Sequence, residues 1–266
     1  MIFYFSGTGN TRWAAQHLAT ATGESLYFIP DELKGDCTYS LAAHELIGFC
    51  FPVHGWQPPH IVRQFIRRLK LQTPFSLHAH FCFALVTCGD SAGRTMEILD
   101  KEMHRIGLAL NSTFSLIMPE SYVCLPFMYT DTPKREREKI EKAKSDLEKY
   151  SSLIVEHQRD QHQVRRGLLP WTFSHVIGAY FNSQMITDKK FTVDAGACVH
   201  CGKCVQACPT GDVTLEAQEP GGEKLPTWHH DGTCTNCLAC YHHCPQHAIN
   251  YGEITRKRGQ YYFGHK

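Results

Sequence analysis

The sequence predicts an α/β protein in two parts, a doubly wound domain on a five-stranded parallel sheet followed by a small α+β domain. Two observations predict this fold class. Up to about residue 160, short apolar runs bounded by glycine, proline or polar residues alternate with segments of helical periodicity. Beyond that point, eight of the 13 cysteines crowd into one stretch between Cys198 and Cys244, which indicates a separate small unit.

Each predicted strand is a short apolar run of the kind that is buried on both faces of a parallel sheet. The runs are Ile2–Phe5, Leu26–Ile29, Leu46–Phe51, Phe81–Val86 and Thr113–Met118. The intervening helices are predicted at Thr11–Ala21, Pro59–Leu69, Ser91–Ile106 and from about Pro133 onward. The predicted division is a first domain of residues 1–160, a connector of residues 161–190 and a second domain of residues 191–266.

Composition is that of an ordinary soluble globular protein. The 266 residues are 42% hydrophobic and 20% charged, and the formal net charge is +1. This balance gives no reason to expect nucleic acid as a partner. The first residues do not show the basic region followed by an apolar region that is typical of a signal peptide. The longest stretch free of Asp, Glu, Lys and Arg is too polar to span a membrane. We therefore expect a cytoplasmic protein with no membrane span.

A short amphipathic helix is predicted inside the connector. Its apolar positions are Phe173, Val176, Ile177, Tyr180 and Phe181. The favoured interpretation is that this apolar face packs on one of the two domains. A helix on a membrane surface is the alternative.

The cysteine segment repeats one pattern twice. Cys198-x2-Cys201-x2-Cys204-x3-Cys208-Pro209 is followed by Cys234-x2-Cys237-x2-Cys240-x3-Cys244-Pro245. In this pattern three thiolates wrap around one [4Fe–4S] cluster, and the fourth cysteine ligates the other cluster. The predicted ligand sets are therefore Cys198, Cys201, Cys204 and Cys244 for one cluster, and Cys234, Cys237, Cys240 and Cys208 for the other.

Other interpretations of the cysteines are disfavoured. Structural zinc usually takes two separated cysteine pairs, and a disulfide framework needs an oxidising compartment. Six nearby histidines are expected to tune the clusters or contact partners rather than bind metal. They are His200, His229, His230, His242, His243 and His247.

The segment from about Phe191 to Tyr251 resembles the bacterial two-cluster ferredoxins. It departs from them in the longer connection between Cys208 and Cys234, which contains Pro220-Gly221-Gly222. We expect this connection to be a surface loop that leaves the cysteine ligands undisturbed.

A glycine-rich turn follows the first predicted strand. There, backbone N–H groups and the start of a helix form an anion site. The dinucleotide fingerprint fails because Arg12 stands where a third glycine is needed, and no Gly-Lys-Ser/Thr of a Walker loop is present. The turn is similar to the Ser/Thr-x-Thr-Gly-Asn-Thr phosphate loop of flavodoxins. This resemblance implies FMN binding by Ser6, Gly7, Thr8, Gly9, Asn10 and Thr11.

Two further loops follow the third and fourth strands, at the sheet edge where a flavodoxin-like strand order places FMN. By position and glycine content they resemble the family's two loops that flank the isoalloxazine ring. Their candidate cofactor-binding residues are Pro52, Val53, His54, Gly55, Trp56, Thr87, Cys88, Gly89, Asp90, Ala92 and Gly93.

Trp56 is the candidate for stacking on the flavin ring, with His54 or Tyr122 as substitutes. The alternative for Trp56 is an ordinary helix-packing aromatic, and Cys88 is expected to be a buried, inert thiol. The segment Pro119–Tyr122 is expected to border the same crevice, with no role assigned to it.

Taken together, the two parts resemble the flavodoxin–ferredoxin fusion proteins of anaerobic bacteria and archaea over nearly the whole chain. The resemblance implies one FMN, two [4Fe–4S] clusters and low-potential electron transport between soluble redox partner proteins. Because clusters pass single electrons and FMN holds one or two, such a protein couples one-electron carriers to one- or two-electron flavin chemistry. The alternatives are an oxidoreductase, a flavin-dependent reductase of a small-molecule acceptor, and a redox sensor. No catalytic residue stands out by spacing, so the sequence leaves open whether the chain is an enzyme.

Charge differs between the two parts. Acids outnumber Lys and Arg from Phe191 to Gly252, whereas bases slightly outnumber acids in residues 1–190. We therefore expect a basic face of the first domain to meet the acidic second domain, with electron transfer between them that slows as salt rises.

Overall fold

The apolar runs of the first domain form parallel strands in the computed structural model, which describes residues 1–217 and 219–265. In chain order the first eight strands are β1 (Ile2–Tyr4), β2 (Leu26–Phe28), β3 (Thr38–Ser40), β4 (Ile47–Pro52), β5 (Lys70–Gln72), β6 (Cys82–Cys88), β7 (Ser112–Ile117) and β8 (Gln161–Gln163). Within the described residues the main sheet has six strands in the order β2-β1-β4-β6-β7-β8, all parallel, while β3 and β5 pair separately. This is the flavodoxin-like order with one added edge strand.

Helices cover both faces of this sheet. The main ones are α1 (Asn10–Thr22), α2 (Ile29–Glu32), α3 (His60–Arg68), α4 (Thr95–His104) and α5 (Pro133–Val155). Side chains of β1 alternate between the faces, because Ile2 packs with Leu18 and Leu147 of α1 and α5, whereas Phe3 packs with Phe65 of α3. The sheet is therefore buried on both sides, as its continuous apolar strands predict.

The sixth strand differs from the prediction of five. Gln161–Gln163 pairs in parallel with Ser112–Phe114 at the sheet edge, so the sheet takes in three residues that the sequence pattern assigned to the connector. An edge strand needs no apolar face of its own, and three polar residues carry no periodic signal. Hydrogen bonds from this strand's ends, such as Gln161 N to Ser112 Oγ at 3.2 Å, fix it in place.

The predicted connector helix is present over residues 170–185, but its buried face is not the predicted one. Four consecutive helical segments make it up, Pro170–Thr172, Phe173–Ile177, Gly178–Tyr180 and Phe181–Met185, the second and fourth with π-type pairing. The buried residues are Ser174, Gly178 and Phe181. Apart from the partly buried Phe173 and the buried Phe181, the predicted apolar face is exposed to solvent.

The second domain contains two antiparallel strand pairs and two short helices. Strand β9 (Phe191–Val193) pairs with β12 (Ile249–Tyr251), and β10 (Val213–Ala217) pairs with β11 (Lys224–Trp228). The helices are Lys203–Ala207 and Ala239–His242. The connection predicted as a surface loop thus forms a β-hairpin with an exposed turn, and residue 218 of that connection lies outside the described residues.

The C-terminal segment returns to the first domain and packs against the glycine-rich turn. Phe263 N donates to the carbonyl of Thr8 at 2.8 Å, and the Phe263 ring stacks on Trp13 of α1 at 5.1 Å. Tyr261 Oη lies 2.6 Å from Asn10 Oδ1. In the described part of the chain, none of the helices combines the length and apolarity that crossing a membrane requires.

Candidate functional site

The first predicted set of thiols surrounds one cavity. Cys198, Cys201, Cys204 and Cys244 all line it, although Cys244 belongs to the second cysteine run. Burial, with smaller contributions from the nearby Cys244 and Cys201, raises the pKa of Cys204 to about 11, although backbone hydrogen bonds oppose the shift. The structure therefore brings Cys244 of the second run together with the three thiols of the first run, and the ligand exchange itself stays a prediction.

The second set shows the reciprocal arrangement. Burial raises the pKa of Cys240 well above its usual value, and the charges of Cys237, Cys208 and Cys234 add to that effect. Cys208 thus lies among the thiols of the second run rather than with its own sequence neighbours. Two backbone N–H groups point at thiols of the two sets, Asn236 N at 3.4 Å from Cys234 Sγ and Ala248 N at 3.2 Å from Cys244 Sγ.

The donor sets fit clusters better than single ions. Soft thiolates arranged four around a cavity are the ligands that iron–sulfur clusters use. Across residues 1–217 and 219–265, no three His, Cys, Asp or Glu side chains converge as a single-ion site requires.

The nearby histidines are bonded to protein groups. His200 Nδ1 contacts the Lys224 carbonyl at 2.8 Å, and His243 Nδ1 contacts the Ala239 carbonyl at 2.9 Å. His242 is buried between two segments, with Nε2 at 2.6 Å from the Ser121 carbonyl and Nδ1 accepting from Tyr261 N at 3.0 Å. His242 therefore connects the helix Ala239–His242 to the loop after β7 and to the C-terminal segment.

The glycine-rich turn caps the N-terminus of α1. Gly9 has a φ of 94°, which a glycine adopts without strain, and its N–H donates to Ser6 Oγ at 3.2 Å. Thr11 Oγ1 lies 2.8 Å from Thr87 Oγ1, so the turn is tied to the end of β6. The helix N-terminus and the surrounding hydroxyls supply the donors that a phosphate needs.

A cleft opens at the carboxyl ends of the strands, beside this turn. Of the predicted flavin-site residues, it is lined by Ser6, Gly7, Thr8, Asn10, Thr11, Pro52, Val53, His54, Gly55, Trp56, Thr87, Cys88, Gly89 and Asp90. Three predicted residues do not line it. Gly9 lies behind the turn against Phe263, Ala92 is fully buried in the core, and Gly93 packs beneath Trp56.

Trp56 lies in a tight turn rather than on a helix. His54 and Gln57 exchange backbone hydrogen bonds of 3.0 and 3.1 Å, and the two residues between them both have positive φ, 54° for Gly55 and 55° for Trp56. This is the geometry of a two-residue hairpin turn. The Trp56 ring meets Phe173 of the connector helix at 4.7 Å, while Nε1 donates to Ser91 Oγ at 3.2 Å. Trp56 therefore lines the cleft and also packs against the connector.

Ser174 locks the connector helix onto this turn. Its hydroxyl donates to the Trp56 carbonyl at 2.9 Å and accepts from Arg94 N at 2.8 Å. Gln57 Nε2 donates to the Ser174 carbonyl at 2.7 Å. The helix backbone comes so close that a Cβ at Gly178 would lie 2.1 Å from the Gly55 carbonyl oxygen. The connector thus fixes the turn from outside.

An acid stands in the cleft wall, within the segment Pro119–Tyr122 that the sequence places at this border without a role. Glu120 Oε1 accepts from the backbone N–H groups of Ser121 at 3.1 Å and Tyr122 at 2.9 Å. The other oxygen packs over Gly89, where a Cβ would lie 2.0 Å from Oε2. Burial raises the pKa of Glu120, although those hydrogen bonds and Lys139 oppose the shift. The cleft therefore holds a carboxyl group whose pKa lies above its ordinary value.

Pro119, Ser121 and Tyr122 also line the cleft, as the expected position of their segment predicts. The lining residues not predicted for this cleft are Ser91, Met118, Leu125, Met128, Phe181, Asn236 and Cys237. Leu125, Met128 and Met118 give the cleft an apolar wall.

Cys237 is the residue that connects the two candidate sites. It lines the cleft together with Ser6 and His54, and it packs directly on the glycine-rich turn. A Cβ at Gly7 would lie 2.7 Å from Cys237 Cβ and 3.1 Å from its Sγ. A thiol of the second cysteine set and the proposed phosphate turn are thus in van der Waals contact.

The direct contacts between the parts include packing and hydrogen bonds, among them the contacts of His242 and Tyr261. Among described residues, the ion pair that joins the C-terminal segment to α5 is His265–Glu136 at 3.9 Å, with the acid on the first domain.

Comparisons with known proteins match the cysteine-rich part of the chain. The family model described as "4Fe-4S dicluster domain" matches residues 190–245, and a second model of the same description matches the overlapping residues 156–212. No curated protein matches the chain.

Among solved structures, similar ones include a putative flavoprotein from Bacteroides uniformis (20% identity, 44% of this chain and 88% of that one, TM-score 0.34). The Trp repressor binding protein from Bacillus subtilis is 9% identical over 60% of this chain and 99% of its own, with a TM-score of 0.34. The flavodoxin of Streptococcus pneumoniae is 14% identical over 56% and 97%, with a TM-score of 0.28. These TM-scores are low, and the fold assignment rests on the strand order.

The strand order and the thiol pattern define a class, an iron–sulfur protein with a flavodoxin-like domain and a ferredoxin-type dicluster segment. The chain fits a flavodoxin–ferredoxin fusion. Proteins with these parts carry electrons, and electron transfer is the general function of this one.

Proposed function

We propose that this protein transfers low-potential electrons between two [4Fe–4S] clusters and an FMN bound in the cleft. The observation that carries the proposal is Cys237, which belongs to a cluster ligand set and lines the cleft. FMN is the preferred flavin because the cleft ends at a turn suited to a single phosphate group. The chain also lacks the glycine fingerprint of dinucleotide-binding domains.

The proposed ligand sets are those that the spacing predicts, with Cys208 and Cys244 exchanged between the runs. The cluster of Cys234, Cys237, Cys240 and Cys208 is then the one beside the flavin. The other cluster has an exposed ligand, Cys201, and is the one that meets external carriers. Thiolate clusters need a reducing compartment, so we place this function in the cytoplasm.

The chain's own residues provide the flavin site. The turn after β1 binds the phosphate, Trp56 and Tyr122 border the ring region, and the connector helix holds the Trp56 turn in position. When bound, FMN supplies storage for one or two electrons, which single-electron clusters lack. We also propose that the first domain extends through Gln163, because β8 completes its sheet.

The test is cofactor content of anaerobically purified protein, with electron paramagnetic resonance during stepwise reduction. The proposal predicts about one FMN, about eight iron and about eight sulfide per chain, and two magnetically coupled reduced clusters. Iron without flavin would refute the flavin site while leaving the cluster assignment intact. Flavin with only about four iron would refute the two-cluster assignment.

A flavin-dependent reductase of a small substrate is the second candidate, and Glu120 favours it. A carboxyl group with a raised pKa in a cleft with an apolar wall is suited to deliver a proton to a bound acceptor or to the flavin edge. Electron carriage alone does not require such a group.

Glu120→Gln separates the two candidates. If Glu120 handles a proton, the flavin midpoint potential of the natural protein should fall by up to about 59 mV per pH unit across its titration, and the Gln variant should show a flatter profile. The control is Glu141→Gln, which changes an exposed acid of α5 that pairs with Lys144. Equal slopes in both variants and the natural protein would remove the reason to favour a reductase.

A further inference from the structure

The connector helix has its amphipathic faces reversed. It buries the small or polar residues Ser174 and Gly178 against the first domain, while Val176 is 54%, Ile177 42% and Tyr180 63% exposed. An amphipathic helix of a globular protein normally buries its apolar stripe. The reversed orientation leaves apolar side chains in water and needs a cause outside the domain.

The exposed apolar residues form one stretch of the chain, which we name the connector patch. It consists of Leu168, Leu169, Trp171, Val176, Ile177 and Tyr180. Six of the 11 large hydrophobic residues that are exposed in the described part of the chain fall within these 13 positions. Single exposed apolar residues are ordinary, but such a concentration marks an interaction surface.

The helix is not free to rotate and hide this patch. Gly178 lies directly on the Gly55 carbonyl, where even a methyl group does not fit, and the Ser174 hydroxyl bonds to Trp56 and Arg94. The fixed face is therefore the buried one, and the patch stays exposed as long as the Trp56 turn is folded.

The charged residues around the connector patch indicate the kind of surface that it contacts. Residues 161–187 contain no Asp or Glu, and the basic pairs Arg165–Arg166 and Lys189–Lys190 flank the patch on either side. Arg165 and Arg166 are both exposed while contacting Asp90 and Glu97, respectively. Asp188, the acid that precedes Lys189, is buried and pairs with His230. Trp and Tyr beside aliphatic side chains, flanked by exposed cations, are the composition of a helix that lies in the headgroup region of an anionic bilayer.

We propose that the connector patch docks this protein on an anionic membrane surface. The helix lies along the interface with Ile177, Val176 and Tyr180 immersed, and the flanking cations contact the lipid headgroups. The docked helix does not span the bilayer. This proposal does not depend on the proposed electron-transfer function.

The test is sedimentation with lipid vesicles, using the whole cofactor-loaded chain. Vesicles of phosphatidylcholine with phosphatidylglycerol should bind the protein, with binding that weakens as salt rises, and pure phosphatidylcholine vesicles should bind it at least tenfold less. Ile177→Ser with Tyr180→Ser should lower the partition coefficient at least tenfold. The control is Phe127→Ser, which removes a more exposed ring outside the patch.

Iron and flavin contents equal to those of the natural protein would show that the double variant is folded. Failure of the natural protein to bind anionic vesicles would overturn the proposal in favour of a protein partner. Binding that the double variant retains would overturn it as well, since the lipid contact would then lie elsewhere. A lipid-free dimer that the double variant abolishes, without vesicle binding, would assign the patch to self-association instead.

Discussion

Cys208 shows how a single residue joins the two halves of the cysteine pattern. It lies beside the thiols of the second run, and its charge adds to the effect of burial on the pKa of Cys240. Spacing alone predicts this assignment, because the fourth cysteine of each run stands apart from the x2-spaced first three and is followed directly by proline.

Replacing Cys208 by Ala should therefore damage the cluster held by Cys234, Cys237 and Cys240. We expect iron content to fall toward about four per chain, with loss of the magnetic coupling between reduced clusters. Cys82→Ala, a buried thiol of β6, is the control and should leave iron unchanged. Loss confined to the cluster of Cys198 would contradict the exchanged ligand sets.

The stability of the folded protein should depend on pH through His54, which lies at the cleft. Burial, with a smaller effect of nearby His60, lowers the pKa of His54 to about 3 from an ordinary value near 6.5. A depressed folded-state pKa means that stability is fully present above about pH 6.5 and is lost as pH falls toward 3, because only the unfolded chain gains the proton. Between pH 6.5 and 5 the loss is at most about 2 kcal/mol.

His54→Gln should remove this slope. Denaturant midpoints measured at pH 7.5 and pH 5 should fall less in the variant than in the natural protein, and the exposed His78→Gln should behave like the natural protein. Parallel falls in all three proteins would show that His54 does not titrate as its burial implies.

At the scale of elements, the sequence predicts the strands that are buried in the sheet. It does not predict features that depend on contacts between distant segments. The five central strands are apolar runs, and each forms within a residue or two of its predicted position. Gln161–Gln163 becomes a strand only because β7 offers an open edge. The connector helix was found by its periodicity, but its orientation follows from Gly178 and Ser174, whose small size carries no sequence signal.

The contact between the connector helix and the Trp56 turn should control flavin binding. Gly178→Ala places a Cβ where the Gly55 carbonyl oxygen is 2.1 Å away, so the helix or the turn has to move. We expect flavin affinity to fall about tenfold, or about 1.4 kcal/mol, when measured by fluorescence titration of flavin-depleted protein. Ala179→Val, on the exposed face of the same helix, is the matched control, and an equal loss there would indicate a general effect on the helix.

At the scale of the molecule, the candidate site is divided between parts that the sequence predicts separately. The glycine-rich turn and the cysteine runs are local motifs, and both were found by reading along the chain. Their contact through Gly7 and Cys237 depends on how the parts pack, and the position of Glu120 over Gly89 on how the first domain folds. The expected basic-to-acidic interface stays a prediction, because charge counts average over surfaces and the direct contacts include buried bonds such as that of His242.

The most direct test of the central claim is rapid photoreduction of the clusters, followed by the optical spectra of clusters and flavin in the same protein. Cluster reoxidation should coincide with flavin reduction at a rate independent of protein concentration, because Cys237 places donor and acceptor in one molecule. Gly7→Ala, which forces Cys237 away from the turn, should slow that rate. Flavin reduction that scales with protein concentration, or that is indifferent to Gly7→Ala, would contradict a direct path from the cluster of Cys237 to the flavin.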